Sequence, residues 1–257
     1  MQLRWLSLLA TLVPFTTNLL VAAQTQALLF GLQEVLNNQL NDIKNGLGSD
    51  WAHVGVGRDD GKSDGEFAPI LYRKDAVRLL YSETKWLSPT PDVVSFGWGA
   101  GSRRIVTIAV FESLTTGKRF IHVNTHLDNV SSQARSEGIK VVLARIQAVQ
   151  SLWGPLGVSL TGDFNSQPGG DAYQTLVNAG YVEDLYNMAR SAQRVGPYGN
   201  TFTGFVSTTP TVRMDFIWLG PKGANRFAVN RYEIFNNLVD GVYISDHRAV
   251  VGDVTLL

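Results

Sequence analysis

The sequence predicts an α/β (α+β) domain in which two β-sheets pack together and helices flank them. Three observations carry that prediction. Short apolar runs of strand length outnumber helical stretches along the chain, and several are joined by hairpin-type turns. One long amphipathic helical pattern covers residues 132–152, with shorter ones elsewhere, enough to cover sheet faces but not to build a bundle. The chain has 257 residues, 44% of them hydrophobic and 17% charged, a balance that can fill one large core. No repeat or low-complexity segment divides it.

The elements follow in order. Residues 27–32 form a short apolar run, read as a buried strand that Gln33-Glu34 ends. A helical pattern follows, with Val35, Leu36, Leu40 and Ile43 on one face and Gly46 and Gly48 as stop signals. Residues 51–56 read as a strand, and 58–65 as a polar turn. Residues 69–73 and 77–81 read as paired strands, and 86–102 as a long loop carrying Trp86 and Trp98. Residues 104–111 and 119–125 are strong strand signals joined through Thr116-Gly117-Lys118. After the 132–152 helix come a strand at 158–161, a helix at 171–179, and strands at 212–219 and 249–256.

Composition narrows the functions. Lysine plus arginine and aspartate plus glutamate each total 22, so net charge is zero. That argues against tight, sequence-independent coating of nucleic acid, which relies on a basic face. The absence of cysteine excludes disulfides and cysteine-based metal or redox chemistry. Residues 1–23 read as a cleaved signal peptide: Arg4, an apolar stretch from Trp5 to Phe15, and small residues at Val21-Ala22-Ala23. The expectation is a secreted protein with a mature domain at 24–257 and no membrane span, working as a monomer. Asn129-Val130-Ser131 is an N-glycosylation acceptor pattern.

Five polar clusters fall at ends of predicted strands, where side chains converge on one rim of a sheet. They are Gln33-Glu34, Thr125-His126 with Asp128 beyond, Gly162-Asp163-Phe164-Asn165, Arg213-Met214-Asp215-Phe216 and Ser245-Asp246-His247. Taken singly, most read equally well as structure: a carboxylate on a helix dipole, a core histidine, an Asx turn. Asp163 and Asn165, two apart on an extended backbone, point the same way. Asp215, inside an apolar strand, needs a partner, and His247 is the candidate. Carboxylates suit a hard divalent cation, and there is no nucleophilic serine elbow and no glycine-rich phosphate loop.

The ordered set of Gln33-Glu34, Tyr72, Thr125-His126, Gly162-Asp163-Phe164-Asn165, Arg213-Met214-Asp215-Phe216 and Ser245-Asp246-His247 resembles the endonuclease/exonuclease/phosphatase superfamily. Residues 65–73 look most like those of secreted microbial or fungal-type members. The resemblance implies a deoxyribonuclease I-like fold, a four-layer β-sandwich with helices outside. It implies metal-dependent hydrolysis of a phosphate ester, foremost a phosphodiester in a nucleic acid, lipid or small molecule, with Mg²⁺ or Mn²⁺ as cofactor. Carried onto this chain, it gives Glu34 and Asp246 to the metal, Asp163 to the attacking water and Asn165 to the phosphate. His247 would contact the phosphate, oriented by Asp215. His126 would contact the scissile phosphate or leaving oxygen, oriented by Glu66. Tyr72 and Arg104 would donate to phosphate oxygens. Members begin with a strand ending in asparagine. If residues 1–23 are signal peptide, that strand, its asparagine and the next helix are missing, and the alternative is a truncated, impaired relic that binds a phosphorylated ligand.

Overall fold

The computed structural model describes residues 2–9, 28–206 and 212–257. Fifteen strands, β1 to β15, run in chain order: Gln2–Leu9, Leu29–Gln33, Trp51–Val54, Ile70–Arg73, Val77–Trp86, Ile105–Ser113, Arg119–His126, Gly157–Asp163, Glu183–Asp184, Arg194–Val195, Asp215–Gly220, Phe227–Ile234, Leu238–Val239, Val242–Tyr243 and Val250–Leu256. Among the described residues four α-helices, α1 to α4, span Asn37–Leu47, Ser132–Trp153, Asp171–Ala179 and Leu185–Met188. Among the described residues, one sheet has seven strands in the order β10-β12-β15-β1-β2-β4-β3. A second has six, β5-β6-β7-β8-β11-β9, and β13-β14 form a separate hairpin.

The two sheets face each other across a core of Leu3, Leu29, Ala109, Phe111, Phe120, Ile217, Val250 and Val254. The outer face of the six-stranded sheet, with Val106, Ile108, Val110, Val123 and Leu160, is covered by Ile139, Val142, Ile146 and Val149 of α2 and Leu176 of α3. The outer face of the seven-stranded sheet, with Phe30, Leu32 and Leu71, is covered by Leu40, Ile43 and Leu47 of α1. Strand alternation sends neighbouring residues to opposite faces, so each strand feeds two hydrophobic layers. The result is the expected four-layer sandwich.

The structure has a first strand where the sequence predicted none. Residues 2–9, assigned to a signal peptide, form β1 in the interior of the seven-stranded sheet. It pairs parallel with β2 and antiparallel with β15, from Gln2↔Thr255 to Ser7↔Val250. Leu3 is fully buried, and Arg4 forms a two-pronged ion pair with Asp253 at 2.5 and 2.7 Å. A positive residue followed by an apolar run satisfies the pattern of an export signal and of a doubly buried strand alike. The pairing partners that decide between them lie at the far end of the chain. β1 itself contains no asparagine. The proposed cleavage site at 21–23, Asn18 and the Ala27 start of the next strand lie outside the described residues.

Smaller differences have local causes. β5 runs to Trp86, past its predicted end, because the polar stretch Ser82–Lys85 hid an edge strand. Glu83 there is bound by Arg145 of α2 at 2.8 Å, so a charge in the strand is paired. Asp215 opens β11 rather than sitting inside it. Helix α1 starts at Asn37, leaving Leu36 45% exposed instead of on the buried face. β12, absent from the prediction, pairs with β15.

A buried polar link crosses the core. The Asn124 side chain on β7 donates to the carbonyls of Leu32 at 2.7 Å and Pro69 at 3.0 Å. Its Oδ1 accepts from Gln33 Nε2 at 2.7 Å and Thr161 Oγ1 at 3.0 Å. Gly31 makes this approach feasible: a methyl group there would collide with Thr161 Oγ1 and lie 2.6 Å from Asn124 Oδ1.

Two predictions arise here. Deleting residues 1–23 splits the seven-stranded sheet, so the product is expected to lose near-ultraviolet circular dichroism and cooperative melting; a shortened chain that melts like the parent would show β1 to be dispensable. Replacing Asn124 with alanine orphans several buried groups at about 1–3 kcal/mol each. Urea unfolding should therefore report a loss of at least about 3 kcal/mol.

Candidate active site

The register builds the centre of the site. β7 and β8 are parallel with His126 opposite Asp163, and β8 and β11 are antiparallel with Asp163 opposite Asp215. Residues in register project to the same face, so three functional side chains stand in one row across three strands. Gly162 keeps β7 and β8 together, since a Cβ there would collide with the Thr125 carbonyl oxygen. The facing sheet brings Glu34 from the end of β2, Glu66 from the approach to β4, and Asp246 and His247 from the approach to β15. Glu34 and Asn165 both adopt left-handed backbone, with φ of 57° and 47°. Non-glycine residues occupy that region at a cost, and such strain concentrates at functional sites.

His247 Nδ1 lies 2.7 Å from Asp215 Oδ2, both side chains buried. Burial alone would lower the imidazole pKa, but Asp215, with Asp163 and Asp246 nearby, raises it to about 10. The ring is therefore a cation at neutral pH. Phe202 presents its edge to the same ring at 5.1 Å between centroids and bridges His247 through the backbone. Thr201 Oγ1 accepts from the backbone N–H groups of Met214 and Asp215 at 3.0 and 3.2 Å, fixing the start of β11.

Asp163 behaves oppositely to an ordinary carboxylate. Burial and the Asp215 charge push its pKa up to about 7, against the pull of His247 and the Asn165 N–H, which donates to Oδ1 at 2.8 Å. His126 stays neutral, because burial and the Arg104 guanidinium hold its pKa well below 6.5. Arg104 can only donate, so His126 Nδ1, 3.0 Å away, accepts and the ring proton sits on Nε2. Nε2 lies 3.4 Å from Asp163 Oδ2, which can accept its proton, and 3.1 Å from Asn165 Nδ2, which donates to the Leu127 carbonyl instead. Glu34 has a raised pKa, from burial first and then from Glu66 and Asp246.

Residues 16–247 match the Endonuclease/Exonuclease/phosphatase family. The chain belongs to that family. An endonuclease/exonuclease/phosphatase from Bacteroides vulgatus has a solved structure that is 32% identical, with a TM-score of 0.90 and 100% of each chain covered. The mannosyl-6-phosphatase of Bacteroides thetaiotaomicron VPI-5482 is 28% identical, with a TM-score of 0.88, covering 99% of this chain and 100% of that one. TDP2 from D. rerio, solved with a single-strand DNA product, is 22% identical with a TM-score of 0.72 and 99% coverage of both chains, a likeness of fold. No curated protein matches the chain significantly.

Members of this family are generally divalent-metal dependent, and the donor set here fits such an ion. Glu34, Glu66 and His126 each offer a ligand atom within 4.8 Å of the others, as do Asp163, Asp215 and His247. The second group holds a protonated imidazole, which cannot ligate. The first suits a hard cation better: the charges of both Glu66 and Asp246 act on Glu34, and Asp246 Oδ1 is buried without a hydrogen-bond partner.

The rim thus gathers Glu34, Arg104, His126, Asp163, Asn165, Asp215, Asp246 and His247. Tyr72 is not among them. It pairs with Leu29, four residues back from Gln33 and so about 13 Å along the strand, and its ring packs on Phe111 at 5.0 Å in the core. Glu66 is bound by Arg58 Nη1 at 2.6 Å, so Arg104 rather than Glu66 makes the hydrogen bond that orients His126. Arg103 pairs with Asp59 at 3.1 Å instead. Asp128 is a loop anchor, accepting four backbone N–H bonds from Gly101, Ser102, Val130 and Ser131. Trp86 is buried with its indole N–H on the Arg58 carbonyl, unavailable for stacking on a ligand. Asn129 is exposed, with its side-chain oxygen accepting from Arg104 at 3.1 Å. Arg58, Asn124 and Thr201 escaped the sequence reading. Asn124 and Thr201 are polar and fully buried, and the one available sign was Asn124 within the apolar run of β7.

The His247–Asp215 pair sets a pH dependence. Below pH 6.5 the imidazole is protonated both folded and unfolded, so the pair's contribution to stability is complete; it is lost as pH rises from 6.5 to about 10. In metal-free protein, the stability difference between wild type and His247→Gln should shrink across that window. Urea midpoints measure it, and a constant difference would contradict a raised imidazole pKa.

Proposed function

We propose that this chain is a divalent-metal-dependent phosphoesterase acting on small phosphate monoesters. One observation carries the reading. A single rim holds a carboxylate poised near neutrality, Asp163, beside an imidazolium, His247, and a carboxylate cluster fit for a cation. A group with a pKa near the working pH is the best general base, so Asp163 would take the proton of the attacking water. His247, held protonated by Asp215, would donate to the phosphate and offset the charge that develops on it. Asn165 and Arg104 would fix the phosphate oxygens from the opposite side. Glu34, Glu66 and Asp246 would hold the metal, proposed to be Mg²⁺, which when bound polarises the phosphoryl group and stabilises charge on its oxygens.

The choice of monoester revises the phosphodiester expected from sequence. The balanced charge of the chain does not suit a long polyanion, and a 28%-identical relative is a mannosyl-6-phosphatase. The relic alternative drew on the absence of the first strand's asparagine; a strand at Gln2–Leu9 and the nearly complete set of polar residues on the rim favour the enzyme reading over it.

The test is hydrolysis of p-nitrophenyl phosphate and bis-p-nitrophenyl phosphate with and without Mg²⁺. Turnover of the monoester should vanish in chelator and return with Mg²⁺. Asp163→Ala and His247→Ala should each lower kcat/KM by roughly two to three orders of magnitude. Metal-independent turnover, or variants as active as wild type, would refute the reading; preference for the diester would refute its substrate class.

A further inference from the structure

We propose that a groove beside the His247–Asp215 pair is the subsite for the leaving group, and that this group is carbohydrate. The inference rests on the phosphoesterase reading and adds the chemistry of the ester's other half. The groove is a cavity of about 410 Å³ lined by Gln167, Tyr173, Tyr186, Asn187, Asn200 and Arg213, among others. That size lies within the range of small-molecule sites, about 300–1,000 Å³.

Its lining residues lie next in sequence to residues of the rim. Gln167 is two residues beyond Asn165, and Arg213 is two before Asp215. Asn200 precedes Thr201, whose hydroxyl receives the N–H groups at the start of β11. The Asn200 carbonyl in turn accepts from Arg248, the neighbour of His247, at 3.2 Å. A phosphate held between Asn165 and His247 therefore has this groove as an adjoining space for the group it is esterified to.

The chemistry of the lining selects among leaving groups. Its one guanidinium is neutralised: Arg213 Nη2 donates to Asp184 Oδ2 at 2.7 Å, with both side chains buried. A second anionic group on the ligand gains little there. The aromatic rings are already covered. Tyr173 is 7% exposed and packs on Trp218 at 4.9 Å and Phe216 at 5.3 Å. Tyr186 lies under the guanidinium groups of Arg194 at 4.5 Å and Arg213 at 4.7 Å, with Tyr232 against it at 5.4 Å. A nucleobase binds by stacking on an open aromatic face, and these lining rings do not present one.

What the groove offers is neutral amide chemistry. Gln167 and Asn187 are exposed on its rim. Asn187 Nδ2 donates to Tyr173 Oη at 3.1 Å, and that hydroxyl donates to Asp184 Oδ2 at 3.1 Å, which holds the amide in place. Each amide both donates and accepts, as does each sugar hydroxyl, so adjacent hydroxyls on a ring can be matched pairwise.

The experiment compares kcat/KM for mannose 6-phosphate, glucose 6-phosphate, thymidine 5′-monophosphate and phenyl phosphate, with Mg²⁺, in wild type, Gln167→Leu and Asn187→Leu. Both positions are exposed, and thermal melts check that the variants fold. Wild type should favour a hexose phosphate over phenyl phosphate by at least about tenfold, and each variant should reduce that ratio by about tenfold, mainly through KM. Ratios unchanged in both variants, or a wild-type preference for the nucleotide or phenyl ester, would overturn the proposal while leaving the phosphoesterase reading intact. Absence of turnover on every ester would overturn both.

Discussion

The Asn124 side chain is the contact on which the geometry of this protein turns. Two sheets in a sandwich normally meet through apolar side chains that tolerate small shifts. Here, beneath the rim of the candidate site, one amide also links them: its donors reach the Leu32 and Pro69 carbonyls and its oxygen the Gln33 amide across the gap, while Thr161 joins from its own sheet. Hydrogen bonds have tight length limits, so the separation of the sheets is fixed there far more narrowly than packing would fix it. The lack of a side chain at Gly31 is what permits that separation. Glu34 sits next to Gln33 on one side of the link, and His126 lies two residues beyond Asn124 on the other. The relative positions of the carboxylate cluster and the histidine row thus follow from it.

A second constraint is electrostatic. The rim holds two histidines in opposite states, a neutral one against a guanidinium and a charged one against a carboxylate. It also holds two aspartates directly opposite each other, of which only Asp215 has a cation in contact. Asp163 is left to carry the burden of burial and of its neighbour's charge. Identical residue types are thereby held in different protonation states by what surrounds each, a pattern seen where acid and base chemistry share one site.

Much of this was legible in the sequence. Gly162-Asp163-Phe164-Asn165 and Ser245-Asp246-His247 carry their meaning locally, because a strand end plus two polar residues fixes where the side chains go. The six-stranded sheet was readable too, because its interior strands are short runs rich in β-branched and aromatic residues. What escaped depended on partners distant in the chain. β1 has the composition of an export signal, so its pairing with β15 at the far end of the chain was not visible in the sequence. Tyr72 was grouped with the site through its place in an ordered set of motifs, yet β4 runs away from the rim and takes the residue into the core. Arg104 as the partner of His126 depends on how β6 and β7 are juxtaposed, and Glu66 was equally near in principle. The edge strand β5 and strand β12 were obscured by polar residues that face solvent or pair with helices.

The placement of β1 also sets the pace at which the molecule can form. Gln2 pairs with Thr255 and Leu3 with Val254, so two neighbouring strands are far apart in the sequence. Until β15 arrives, β1 has only β2 beside it and presents an open edge to the surroundings. Closing the seven-stranded sheet is therefore among the slow, long-range steps of folding. A folding intermediate with that edge open is exposed to mispairing until the long-range contact is made.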